Sequence, residues 1–120
     1  MKSIFLVDDS EHLVENLTRL IKSVPGLVLS GSVGSVVKAI DIIICNKPDI
    51  IILDISLKDG CGIDIIQSIK NKLPGCIIIM FTNHNNEVFK KKSISLGANY
   101  FLDKTRDVER LIDILKILAA

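Results

Sequence analysis

The tetrad Ile50-Ile51-Ile52-Leu53 constrains the fold of this chain more than any other stretch. A strand turns successive side chains to opposite faces, so four aliphatics in a row leave it no polar face. Such a strand must be covered on both sides, as at the centre of a parallel sheet dressed with helices. Ile4 to Val7 and Cys76 to Phe81 read the same way, and Leu27 to Val33 and Asn99 to Leu102 supply two more strands.

Between these runs the apolar spacing changes to that of a helix face. The first helix starts near Glu11, carries Leu13, Leu17, Leu20 and Ile21, and is stopped by Pro25-Gly26. Ser10 is its expected N-cap, because a hydroxyl there accepts from a free backbone N–H. Ser35 is expected to cap a second helix carrying Val36, Val37, Ile40 and Ile43, ended over residues 46–48. A loop with Gly60 and Gly62 leads to a third helix, with Ile65, Ile66 and Ile69 inward, and Leu73-Pro74-Gly75 turns the chain. Asn85 is expected to cap a fourth helix that Gly97 ends, and the fifth starts near Arg106 with Val108, Leu111, Ile112, Leu115 and Leu118. Strand and helix thus alternate as (βα)5, an α/β chain whose right-handed crossovers make a doubly wound sheet. The expected organisation is one domain, residues 1–120.

Composition removes several function classes. A formal net charge of +1 argues against binding nucleic acid along the whole chain. The densest basic run, Lys90-Lys91-Lys92, reads as a solvated helix face. Cys45, Cys61 and Cys76 form no C-x-x-C pair and have no His cluster beside them, so neither a zinc site nor a disulfide framework is expected. Free thiols, an N-terminus without the apolar length of a signal peptide, and no run near the ~20 apolar residues of a membrane helix together predict a cytoplasmic protein.

In doubly wound sheets, sites form beyond the carboxyl ends of the strands. Asp8 and Asp9 follow the first strand, Asp54 the third, Thr82 and Asn83 the fourth, and Asp103 and Lys104 the fifth. With strands one and three as neighbours, three carboxylates converge. Two such charges ~4 Å apart repel by roughly 4 kcal/mol at an effective dielectric near 20, and a divalent cation would relieve this. Carboxylates with a carbonyl and water suit Mg²⁺. Asp54 is then the nucleophile, since a carboxylate can form an aspartyl phosphate. Asp8, Asp9 and Asp54 would hold Mg²⁺, Asp9 directly and Asp8 directly or through water, and the Ser56 backbone carbonyl could add an oxygen. Lys104 and the metal would neutralise the transferring phosphoryl group, and the Thr82 hydroxyl would donate to it. Taken singly, an acid after a strand is more often a solvated strand end, a loop Thr a cap, and a Lys before a helix a surface charge. The combination, each member following a different strand, carries the reading.

Leu-Val-Asp8-Asp9-Ser, Ile-Ile-Leu-Asp54-Ile-Ser-Leu with the following Asp-Gly-Cys-Gly-Ile-Asp, Phe-Thr82-Asn, and Gly-Ala-Asn-Tyr-Phe-Leu-Asp-Lys104 resemble the receiver domains of bacterial two-component systems. The resemblance covers essentially the whole chain. It implies a flavodoxin-like sandwich with strand order 2-1-3-4-5. It implies Mg²⁺-dependent transfer of phosphate to Asp54 from a histidine kinase or histidine phosphotransfer protein, then slow self-hydrolysis. It also implies that Thr82 moves toward the phosphoryl group and Phe101 fills the space, changing the surface of the fourth helix, fifth strand and fifth helix. Ser56 and His84 would flank the path of the hydrolytic water.

Three positions depart from the family pattern. Thr105 stands where many receivers have Pro, Asn83 where a small residue is common, and Phe101 has no hydroxyl at the aromatic switch position. Tyr100 is expected on the opposite face of the strand, and His12 on the surface. Rival readings are a phosphorylation-independent module of the same fold, a haloacid-dehalogenase-type phosphatase, and a nucleotide-binding enzyme. The phosphatase would need a second acid where Ser56 stands. The enzyme would need a glycine-rich phosphate loop, and Gly31-Ser-Val-Gly34 is too sparse for one. The output, a homodimer through the fourth-helix face, and whether the chain stands alone or is cut from a longer regulator are left open.

Overall fold

The computed structural model describes residues 1–84 and 86–120. Its strands are β1 (Lys2–Val7), β2 (Leu27–Val33), β3 (Ile50–Leu53), β4 (Ile77–Thr82) and β5 (Tyr100–Asp103). The helices among the described residues are α1 (Glu11–Ser23), α2 (Val36–Asn46), α3 (Ile66–Lys72), α4 (Glu87–Ser95) and α5 (Val108–Ala119). A 3-10 turn (Gly62–Ile65) precedes α3, and a short antiparallel ribbon pairs Ser56 with Cys61 and Leu57 with Gly60. The five-stranded sheet is parallel throughout, in the order β2-β1-β3-β4-β5. It is the expected doubly wound α/β sandwich.

The aliphatic tetrad does what its pattern requires. Ile51 and Leu53 join Phe5, Val7, Ile78 and Met80 in a core covered by Ala39 and Ile43 of α2 and Ile66 and Ile69 of α3. Ile50 and Ile52 face the other way and join Ile4, Leu6, Ile79 and Phe81 beneath Leu17 and Ile21 of α1 and Leu111 and Leu115 of α5. Fully burying one such side chain stabilises by about 1.5–3 kcal/mol. Two full cores, one on each face, therefore pin β3 at the centre of the sheet.

Helix starts follow the caps. The Ser10 hydroxyl accepts from the Leu13 amide at 3.3 Å, and the Ser35 hydroxyl from the Lys38 amide at 3.2 Å. At α4 the side-chain oxygen of Asn86 accepts from the Phe89 amide at 2.9 Å. Asn85, the expected cap, lies outside the described residues. Gly97 closes α4 with φ +118°, a conformation open to glycine. Strands β4 and β5 each begin and end one residue later than the apolar runs suggested, because the ladder continues to the pair Thr82 and Asp103.

Two expected core positions face outward. Val37 is 75% exposed, because the buried stripe of α2 is Ala39 and Ile43. Val108 is 42% exposed. It sits in the first turn of α5, at the rim of a groove shared with Leu13, Leu17 and Leu20 of α1, while Ile114 takes the inward place. Lys90, Lys91 and Lys92 are exposed, as a solvated face should be. Among the described residues no helix is long and apolar enough to cross a membrane.

Helix α4 is the least anchored. Its buried residue is polar Ser93, whose hydroxyl has no hydrogen-bond partner among the described residues. Phe89 and Leu96 supply its half-buried apolar contacts, while Val88 and Ile94 stay exposed. An unmet buried hydroxyl costs about 1–3 kcal/mol. Ser93→Ala should therefore raise stability by about 1 kcal/mol in urea unfolding, with unchanged urea dependence. A loss of stability would show that the hydroxyl has a partner.

Candidate functional site

The sheet order brings the carboxyl ends of β1 and β3 together, with Val7 level with Leu53. The next residues, Asp8 and Asp54, are fixed by backbone bonds that prolong the sheet. The Asp54 amide donates to the Val7 carbonyl and the Asp8 amide to the Val33 carbonyl, each at 3.0 Å. Strand β5 delivers Lys104, whose own amide donates to the Thr82 carbonyl at 3.1 Å. The Lys104 Nζ then lies 2.8 Å from Asp8 Oδ2 and 2.8 Å from Asp54 Oδ2. The free oxygens are used locally: Asp54 Oδ1 accepts from the Ile55 amide at 2.7 Å, and Asp8 Oδ1 from the Ser10 amide at 2.8 Å.

One ammonium thus serves two buried carboxylates. Burial raises the Asp8 carboxyl above its ordinary 3.8, and the bonds from Lys104 and Ser10 only partly offset this. Burial pulls the Lys104 ammonium down, but the hydrogen bonds it donates to Asp54 and Asp8 more than reverse this and leave the group above 10.5. The two partners therefore respond differently to one contact. Lys104 gains from two anions, whereas Asp8 shares its cation with Asp54, so the cluster carries excess negative charge.

Asp9 stands apart from this triad. Its Oδ2 accepts from the Lys58 amide at 3.0 Å, and it lines a cleft with Asp8, Glu11, Glu15, Gly34 and Lys58. Among the described residues no three His, Cys, Asp or Glu side chains are gathered as metal ligands. Of the three expected metal carboxylates, Asp8 and Asp54 meet at Lys104, and Asp9 is turned to the loop after β3. Ser56 lies in that loop, exposed, at the start of the ribbon.

Thr82 is wholly buried at the end of β4, and its hydroxyl oxygen accepts from the His84 amide at 3.1 Å. Asn83 is exposed, and its side-chain oxygen accepts from the Thr105 hydroxyl at 3.3 Å, tying the loop after β4 to the loop after β5. The described residues contain no cis peptide bond, so Lys104 and Thr105 are joined in trans. His84 is exposed and meets Phe89 edge-on, with ring centres 6.2 Å apart. Phe101 is half-buried against the core on the α2 and α3 side, and Tyr100 packs against the opposite core. His12 is exposed, within 3.3 Å of the Asn16 side-chain nitrogen.

Two residues shape the site without having been singled out for it. A Cβ on Gly62 would stand 1.9 Å from the Asp54 carbonyl oxygen, so the chain can pass there only as glycine. The Gly62 amide also donates to the Ile55 carbonyl at 2.6 Å, closing the loop on the residue after Asp54. Asp103 accepts from the amides of Thr105 and Arg106 at 2.7 and 2.9 Å, which holds its carboxyl below the usual range and fixes the turn carrying Lys104. The loop glycine was visible in sequence, but the carbonyl it packs against was not.

Residues 4–116 match the response regulator receiver domain, and the chain belongs to that family. It is 30% identical over 104 residues to the DNA-binding transcriptional activator DevR/DosR of Mycobacterium tuberculosis, covering 87% of this chain and 48% of that protein. The chain spans about half the length of several curated relatives it matches, for example 48% and 49%. Among solved structures, a LuxR-family two-component response regulator from Aurantimonas sp. SI85-9A1 superposes with a TM-score of 0.90 at 26% identity, over 99% of this chain and 85% of that one. A response regulator from Burkholderia pseudomallei, solved with a phosphorylated aspartic acid, a calcium ion and citrate, shares the fold. Its TM-score is 0.85 at 21% identity, over 99% of this chain and 69% of that one. The chain is thus a receiver domain of two-component signalling, a class whose general role is phosphorylation by a kinase.

The burial of Asp8 sets a pH signature. A carboxyl raised in the folded state contributes stability below its unfolded value and loses it as pH rises through the folded value. Ionised Asp8 therefore costs stability at neutral pH, while Lys104, raised above 10.5, stays charged across the acid range. Without divalent cations, Asp8→Asn should melt above the parent protein at pH 7, and the gap should narrow as pH falls into the carboxylate range. An equal or lower melting point at pH 7 would contradict this balance.

Proposed function

We propose that residues 1–120 form one phosphoacceptor module in which Asp54 takes a phosphoryl group from a phosphohistidine of a histidine kinase or histidine phosphotransfer protein. The observation that carries this reading is the Lys104 ammonium, 2.8 Å from Asp54 Oδ2 at the carboxyl end of the central strand. An Asp54 carboxylate oxygen attacks phosphorus, the P–N bond to the donor imidazole breaks, and the nitrogen keeps the electron pair. Lys104 neutralises charge gathering on the acceptor side, usually the main contribution in phosphoryl transfer. The Thr82 hydroxyl accepts from the His84 amide and has its own proton to donate to a phosphoryl oxygen.

The donors fit a hard divalent cation. Two buried carboxylates share one lysine, and Asp9, bonded to the Lys58 amide, lines a cleft with Asp8. Asp8, Asp9, Asp54 and the Ser56 carbonyl would hold Mg²⁺, which when bound supplies charge neutralisation to the phosphoryl oxygens. The Burkholderia pseudomallei regulator, solved with a phosphorylated aspartic acid and a calcium ion, supports an aspartate acceptor and a divalent cation on this fold.

Thr82 and Phe101 form the switch. Movement of Thr82 toward the phosphoryl group opens space for Phe101, half-buried beside a surface hollow with Glu87, Lys90, Asp103, Arg106 and Asp107. The α4, β5 and α5 face is then the output surface, for a partner or for a second copy. Ser56, Asn83 and His84 tune phosphate lifetime by lining the approach of water, and the domain acts on itself rather than on a separate substrate. It works in the cytoplasm and does not itself bind nucleic acid. The second reading, a phosphorylation-independent module, draws on the Asn83–Thr105 hydrogen bond that ties two loops of the site together.

Incubation with acetyl phosphate and Mg²⁺, followed by intact mass, separates the two. The expected result is a labile adduct of one phosphoryl group, absent in Asp54→Ala and absent without metal. A folded protein that takes no adduct, or an adduct that survives Asp54→Ala, contradicts the proposal.

A further inference from the structure

Asp59 is exposed, lies in the loop after β3, and has no part in the chemistry described above. Its carboxylate nevertheless commits both oxygens to another element. Oδ2 accepts from the Ser35 hydroxyl at 2.6 Å and from the Val37 amide at 3.4 Å, and Oδ1 accepts from the Val36 amide at 2.9 Å. These are the cap and the first free amides of α2, where a negative charge is favoured. The Ser35 hydroxyl and Val36 amide hold the Asp59 carboxyl below the usual range. Gly60 lies against Val36, with its missing Cβ only 3.5 Å from the Val36 Cβ.

The same loop is held at the site itself. The Lys58 amide donates to Asp9 Oδ2 at 3.0 Å. The Gly62 amide donates to the Ile55 carbonyl at 2.6 Å, and Leu57 of the ribbon is buried. The loop is thus fastened to Asp9 on one side, to the backbone beside Asp54 on the other, and through Asp59 to α2. Of these three ties, only the Asp59 tie joins the loop to a helix outside the triad of Asp8, Asp54 and Lys104.

We propose that Asp59 is a positioning residue, which by gripping the start of α2 holds the Lys58 amide against Asp9 and Ser56 beside Asp54, and so sets the affinity of the site for a divalent cation. This rests on the reading of Asp8, Asp9, Asp54 and Ser56 as the metal donors. Groups that orient metal ligands from behind typically change affinity by about 10- to 100-fold when removed. Asp59 acts through a loop rather than on a ligand directly, so the lower end, about tenfold, is expected.

The test is a Mg²⁺ titration followed by calorimetry and by backbone amide shifts, with no phosphate donor. Asp59→Ala should raise the Mg²⁺ dissociation constant about tenfold, and Asp59→Asn, which keeps one acceptor oxygen, should recover most of it. Ser35→Ala, which removes one donor of the grip, should fall between. Asn86→Ala removes the cap of α4 instead, so it should lower the melting point while leaving Mg²⁺ affinity unchanged. Unchanged affinity in Asp59→Ala, or an equal loss in Asn86→Ala, overturns the inference and leaves the metal reading intact. If the parent protein does not bind Mg²⁺ at all, the metal reading falls and takes the inference with it.

Discussion

Lys104 is the only cation bonded to Asp8 and Asp54 among the described residues, and the rest of the site is arranged around that contact. Carboxylates at neighbouring strand ends would repel by several kcal/mol at the low effective dielectric of a part-buried pocket. Placing one ammonium between them lets both strands finish side by side. It does not neutralise them. Burial, with a smaller push from the Asp54 charge, keeps the Asp8 carboxyl raised, and the excess negative charge gives the site a reason to take up a divalent cation. In the proposed reading, the Lys104 ammonium meets a transferring phosphoryl group with positive charge already in place, without reorganisation at the moment of reaction.

The scaffold makes this placement rigid. Strand β3 is packed on both faces, so Asp54 emerges from a strand held by two cores. Beyond it the backbone is hemmed in by Gly62, which lies against the Asp54 carbonyl. The opposite side is looser. Helix α4 rests on a buried serine with an unmet hydroxyl, and its exposed face carries Val88, Ile94 and three lysines. A rigid acceptor side beside a weakly packed helix is the distribution of stability expected of an element whose equilibrium a local charge change can bias.

Much of this was legible in the sequence because it depends on local periodicity. The aliphatic runs located all five strands, four of them to within a residue and β1 two residues short at its start, and reading the positions just past them picked out Asp8, Asp54 and Lys104, which the structure brings together. The contacts between distant segments were not legible. Asn85 and Asn86 offer the same cap chemistry, and only the helix geometry selects Asn86. Asp9 has the residue type of a metal ligand, yet its orientation depends on the Lys58 amide, far away in the chain. Gly62 reads as an ordinary loop glycine until the Asp54 carbonyl is seen against it. Asp59 sits in a turn-forming Lys-Asp-Gly, and nothing local reveals that it reaches the start of α2. Val37 and Val108 carried the right composition for a core face, but the buried stripe of each helix lies to one side of them.

Lys104 offsets part of the charge of two buried carboxylates. The most direct test is the unfolding free energy of Lys104→Met at neutral pH without divalent cations, beside the parent protein. Removing one partner of a buried ion pair strands the other charge, so a loss of about 3 kcal/mol is predicted, with Mg²⁺ restoring part of it. Equal or greater stability in Lys104→Met would contradict the account.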